Sequence, residues 1–163
     1  MAPAHHAHGD DRAVVNQWLQ YLSRRTGIPL ALNDDGICAV GHESGLDCVV
    51  EAPGDGSVYL RVGILPWEPE ADPDLAERCL IGQFMGRDTH GASFGVDPID
   101  GELVLWQERP LVALDETSFS LLVVQILDTA VQWRSGLPAA QEKADLEAAI
   151  NAERPSDFAM LKA

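Results

Sequence analysis

The chain has 163 residues, with 26 acidic against 11 basic side chains and a formal net charge of −15. One domain is the default at this length, and such a chain buries roughly two-thirds of its unfolded surface, so its core needs neither disulfides nor a metal. The 46% hydrophobic and 23% charged fractions belong to a globular protein, not a disordered one.

The distribution of charge excludes more than its total. The only lysines are Lys143 and Lys162, so no Gly-Lys-Ser/Thr ending exists for a P-loop. A Schiff-base lysine in the core and a kinase-type lysine fall on the same ground. Residues 26–60 hold six carboxylates and neither Arg nor Lys, and 62–77 and 88–108 are acidic blocks of the same kind. Such surfaces repel phosphate backbones and anionic membranes, which argues against nucleic-acid and membrane partners. Cys38, Cys48 and Cys79 are odd in number and lack C-x-x-C spacing, as expected of reduced core thiols in cytoplasm. No apolar run reaches the ~18 residues of a membrane span, and a secretory h-region is not evident at the N-terminus.

Residues 1–10 read as a disordered tail, with His5, His6 and His8 solvated and no dedicated metal site. A first helix is predicted over Asp11–Arg25, capped by Asp10 or Asp11 and stopped by Gly27 and Pro29. Val15, Trp18, Leu19 and Leu22 form its core stripe, and Tyr21 lies off it. Four short extended runs follow: Leu30–Leu32, Ile37–Gly41, Asp47–Glu51 and Val58–Ile64. Asn33-Asp34-Asp35-Gly36 and Gly54-Asp55-Gly56 supply turns, so the runs form an antiparallel meander.

A second helix is expected from Asp72 (cap) and Pro73 (first position) to Gly86, with Leu75, Ala76, Cys79, Leu80 and Phe84 as its stripe. Residues 93–97 and 103–108 read as two more strands. In the latter, Leu103 and Leu105 oppose Val104 and Trp106, so both faces are apolar and burial on both is expected, either in the core or against another subunit. The third helix, about Asp115–Arg134, carries Phe119, Leu122, Val123, Ile126, Leu127 and Ala130 at helical spacing. Residues 137–163 form an extension, helical to about Glu153 and broken by Pro155. The fold class is α+β, in the order α-β-β-β(-β)-α-β-β-α, a twisted antiparallel sheet with flanking helices.

No catalytic constellation emerges. Gly41-His42-Glu43-Ser44-Gly45 has glutamate where a nucleophile elbow needs serine. Asp34-Asp35-Gly36 lacks the acidic twelfth ligand of a calcium loop. His90 follows Asp88 and Thr89 but has only Ser93 as a nearby nucleophile, and reads as structural or exposed. The chain reads as no enzyme, with no cofactor.

Specific residues then match this element order. Leu19–Leu22 followed by Gly27-Ile28-Pro29-Leu30, and Asn33–Gly36 leading into Cys38, resemble the opening of the Tir-chaperone (CesT-like) family, class I chaperones of type III secretion. So do Gly91–Asp97 with Gly101–Trp106, and Leu114-Asp115 with Trp133-Arg134, and the likeness covers about residues 11–135. The resemblance implies an ATP-independent cytoplasmic homodimer that holds the N-terminal segment of a secreted effector extended and promotes its export. It implies effector contact by Trp18, Tyr21, Leu22, Leu30, Leu32, Val40, Val50 and Leu60. It places the dimer interface at Leu75, Cys79, Leu80, Phe84, Leu105 and Trp106. Each of these is equally compatible with simple core. The extension resembles the longer promiscuous chaperones of the HpaB type, which implies a contact with the secretion ATPase. A stand-alone binding domain of the YbjN-like group, with no secretion role, is the alternative.

Overall fold

The computed structural model describes residues 8–136, and the expected extension 137–163 lies outside them. Helix α1 (His8–Thr26) leads to strands β1 (Ile37–Gly41), β2 (Asp47–Glu51) and β3 (Ser57–Pro66). Helix α2 (Leu75–Gln83) and a 3₁₀ turn at Phe84–Gly86 precede β4 (Ser93–Asp97) and β5 (Glu102–Pro110). A second 3₁₀ turn at Leu111–Ala113 leads into α3 (Glu116–Gly136). All strand pairs are antiparallel, in the order β1-β2-β3-β5-β4. The α+β class and the element order expected from the sequence hold, with three strands before α2.

The difference is at Leu30–Leu32, which is not a strand. The backbone N–H of Leu30 donates to Ser23 Oγ at 2.9 Å, and that of Leu32 to Asn16 Oδ1 at 2.8 Å. Side chains of α1 thus hold this segment in an irregular path. Asp11, expected as a cap, lies inside α1 and is buried, where its Oδ2 accepts from the Gly56 N–H at 2.9 Å. Helix α2 starts at Leu75, after Pro73, and Arg78 reaches back to pair with the Asp72 carboxylate.

The core lies between one sheet face and helices α1 and α3. Period-two alternation sends Cys38, Val40, Cys48, Val50, Val58, Leu60, Val62, Leu103 and Leu105 to this side. Val15, Trp18, Leu19 and Leu22 of α1 meet Phe119, Val123, Ile126 and Leu127 of α3 across it, with Trp18 and Phe119 centroids 5.4 Å apart. Two clasps fix the layers. Arg12 donates to the carbonyls of Asp34 (2.9 Å), Asp35 (3.2 Å) and Ala52 (3.3 Å), tying α1 to the meander. Gly36, at φ +83, is where that arginine passes, since a Cβ there would stand 2.9 Å from Arg12 Nε and 2.7 Å from the Ala52 oxygen. At the other end, Arg134 of α3 donates to the Ser44 carbonyl at 2.7 Å.

Candidate client and dimer surfaces

The second sheet face carries no helix and is built by the complementary residues of the same strands. Register places Val49, Arg61, Trp106 and Ser93 in one row, with Glu51, Tyr59 and Glu108 beside it. Val104 is buried on this face, whereas Trp106 is 39% exposed in the single chain, so its burial is not supplied within the protomer. The Trp106 ring lies along Gly95, which leaves it room, and Val49, Tyr59, Arg61, Val104 and Trp106 line a cavity of about 170 Å³. Asp55 accepts the Tyr59 hydroxyl at 2.8 Å, and this bond beside a carboxylate holds the phenol at about 12. Arg61 pairs with Asp97 and lies 3.7 Å from Asp100, so the cation on this face is already engaged by acids. Hydrogen bonds from the backbone N–H groups of Ile99 and Asp100, with the Arg61 charge, keep the Asp97 carboxyl below its ordinary range.

The two edges differ. At β4 the Phe94 N–H donates to Gln83 Oε1 of α2 at 2.8 Å, so α2 covers that edge. Strand β1 forms the other edge.

Helix α2 buries Leu75, Cys79 and Gly82, and a Cβ at Gly82 would stand inside the Trp133 ring. Its opposite face is apolar too. Leu80, Ile81, Phe84 and Met85 are 64%, 66%, 67% and 88% exposed. Leu80, Ile81 and Phe84 line a shallow cavity of about 420 Å³ rimmed by Glu77, Arg87 and Asp88. A helix apolar on both sides and wet on one has an unpartnered face.

Of the effector-contact residues expected from the sequence, Trp18, Leu22, Leu30, Val40, Val50 and Leu60 lie together in the protomer core. Tyr21 and Leu32 are half-buried, with the Arg24 and Arg25 guanidinium carbons 5.9 and 5.8 Å from the Tyr21 ring centre. Of the dimer residues, Leu75, Cys79 and Leu105 are buried in the protomer, whereas Leu80, Phe84 and Trp106 reach solvent. Sequence reasoning missed Ile81 on α2, Met85 in the 3₁₀ turn after it, and Val49, Tyr59 and Arg61 on the sheet. The signal for the sheet residues was the alternate face of the same period-two strands.

The three thiols are not reactive centres. Burial pushes Cys48 up to about 12 and Cys79 to about 11, and raises Cys38 as well. His90, exposed in the loop before β4, bonds through Nδ1 to Thr129 Oγ1 at 3.0 Å. Among the described residues no cluster of three His, Cys, Asp or Glu side chains could hold a metal, and no helix is long and apolar enough to cross a membrane.

The sheet is thus covered by helices on one face only, and exposed apolar surface lies on its open face and on the outer side of α2. The model of the Tir chaperone protein (CesT) family matches residues 17–134, and the chain belongs to that family. No curated protein matches the chain at a significant level. Among solved structures, the ExsC–ExsE complex superposes with a TM-score of 0.64 at 20% identity, covering 78% of this chain and 96% of that one. The HopA1–SchA chaperone–effector complex gives 0.62 at 18% identity, with 82% and 100% covered. The Yersinia pestis type III secretion chaperone SycH, in complex with a YscM2 fragment, gives 0.54 at 15% identity, with 72% and 97% covered. The fold is thus that of type III secretion chaperones, in a family of chaperones rather than enzymes. The YbjN-like alternative is not favoured by these matches.

Proposed function

We propose that the protein is an ATP-independent chaperone of the bacterial cytoplasm that holds the N-terminal segment of a type III secreted effector extended and promotes its export. The observation that carries this reading is a sheet covered on one face only, with Trp106, Tyr59 and Val49 on the open face, in a chain of a chaperone family. An extended client suits such a site: its backbone pairs with the β1 edge while its side chains enter apolar pockets. Tyr21 and Leu32, at the α1 side, extend the contact surface, and the buried Trp18, Leu22, Leu30, Val40, Val50 and Leu60 hold the scaffold beneath it. Glu51, Glu108 and Asp100, exposed on or beside the open face, favour basic or polar client segments. The likeness to complexes that contain a chaperone with its effector supports the choice of partner.

The α2 face is assigned to a second copy of the chain. Leu80, Ile81 and Phe84, flanked by Met85, form a self-complementary patch for a symmetric dimer, a common form of small soluble oligomer. Such a dimer carries a formal charge of twice −15, which keeps its remaining apolar surface in solution.

Co-expression with each secreted effector of the same cell, followed by limited proteolysis without ATP, tests the proposal. Protection of one N-terminal effector fragment is expected. Failure to protect any effector overturns it.

A further inference from the structure

Strand β3 outruns one of its two neighbours. Its pairing with β2 ends at Val62 opposite Cys48, whereas its pairing with β5 continues to Pro66 opposite Glu102. Residues 63–66 therefore have a strand on one side only, over about 13 Å at the usual rise per residue. A bulge between Gly63 and Leu65 bends the chain at the same place. Across from this stretch stand the turn residues Gly45, Leu46 and Asp47, and a cavity of about 370 Å³ lies between them. A strand with an unpaired side is a template for another strand, and here that side opens into a cavity rather than along the sheet edge. The walls are acidic. Period-two alternation puts Asp47, Arg61, Gly63 and Glu102 on the open face of the sheet. Arg61 is already engaged by Asp97 and Asp100, and neither Asp47 nor Glu102 has an ion-pair partner among the described residues. A Cβ at Gly63 would stand on the Glu102 carboxylate, so the glycine leaves that carboxylate room to lie across the unpaired stretch.

We propose that this notch is a second strand-addition site, for a short extended peptide segment that carries an arginine. The segment's backbone pairs with residues 63–66, in line with β2, and its guanidinium meets the Glu102 carboxylate with Asp47 beside it. The inference rests on the chaperone reading for the owner of that segment, which is the client. The notch adjoins the Trp106 cavity and shares Val49 and Arg61 with it, so one extended segment passes from one to the other. Charge selects the occupant. A guanidinium presents a planar fork of donors to carboxylates on either side of it, at little cost in desolvation on an open face. Among the described residues no three carboxylates converge as metal ligands do, which fits an extended organic cation better than a bare ion. A second copy of the chain is disfavoured, because its net charge of −15 has the sign of the walls. The notch differs from the β1 edge in what it can read: β1 accepts a strand of any length, whereas the turn at Gly45–Asp47 limits the segment here to a few residues.

Titration of the isotope-labelled full chain with the peptide acetyl-Thr-Val-Arg-Val-Thr-amide, followed by nuclear magnetic resonance, tests the proposal. The amide signals of Gly63, Ile64 and Leu65 and of Gly45, Leu46 and Asp47 should shift together, with one affinity. Replacing the arginine by citrulline keeps the shape and removes the charge, and should weaken binding about tenfold. Glu102→Gln should weaken the arginine peptide by a similar factor and leave the citrulline peptide unaffected. Because citrulline alters the ligand alone, this comparison stands even where a protein variant folds poorly. N-methylation of every second peptide amide, in one of its two phases, should abolish binding, since it removes the donors that face β3. No shift, shifts confined to β1 or to the Trp106 cavity, equal affinity of the arginine and citrulline peptides, or indifference to both phases of methylation would each overturn the proposal. Effector protection is read separately. An effector protected by a chain whose notch takes no peptide overturns the notch alone, and a peptide seated in the notch with no effector protected overturns the chaperone reading alone.

Discussion

At the scale of single residues, Arg12 shows how one side chain fixes a connection that no periodicity encodes. Its guanidinium serves three carbonyls from two turns of the meander, and Gly36 is poorly replaced, since its positive φ and the passing arginine both exclude a side chain. Hydrogen bonds from charged groups are worth about 1.5–3 kcal/mol each where they are buried, and two of these three are exposed, so Arg12→Ala should cost about 2 kcal/mol in all. Urea unfolding of the two proteins measures this. Arg12→Lys should recover little of the loss, because the three carbonyls are reached by three separate guanidinium nitrogens and a lysine offers only one. The sequence marked Asn33–Gly36 as a turn, and the Asn33 side chain does accept from the Asp35 and Ile37 N–H groups. Its arginine partner, 22 residues or more away in sequence, left no local signal.

At the scale of elements, the start of α3 is a reciprocal cap. The Ser118 N–H donates to Asp115 Oδ1 at 2.8 Å, and the Asp115 N–H donates to Ser118 Oγ at 3.0 Å. The Ser118 hydroxyl and N–H together keep the Asp115 carboxyl below its ordinary value of 3.8. A carboxyl lowered on folding stabilises the native state above its unfolded value, and that contribution is lost as pH falls through the lower folded value. The stability difference between the wild type and Asp115→Ala should therefore be full at neutral pH and shrink on acidification below about 3.8. Thermal melts of both proteins across that range check it, and a difference independent of pH would refute the assignment. Helix α3 was legible because its apolar residues recur at helical spacing beside this cap. The segment Leu30–Leu32 was not, because its extended look came from composition while its hydrogen-bond partners belong to α1.

At the scale of the whole molecule, the unpartnered α2 face sets the expectation for assembly. Phe84 is largely exposed and is not one of the core residues, so Phe84→Asp should leave the fold intact while dissociating the proposed dimer. Light scattering after size exclusion should give twice the chain mass of 17.6 kDa for the wild type and that mass for the variant. An intact dimer in the variant would move the interface elsewhere. The sequence by itself determined the acidic body, the α+β order and the two-sided apolar character of β5, because charge and periodicity are local properties of the chain. It also carried the family, through short motifs in the right order. Only the tertiary structure decided which apolar residues are core and which are surface. Val50 and Tyr59 are equally plausible as contacts when read along a strand, and Leu75 and Leu80 when read along a helix. The side on which α1 and α3 pack separates them, and that choice is made by contacts between elements distant in sequence. The same acidic chain is therefore a covered core on one sheet face and an open one on the other.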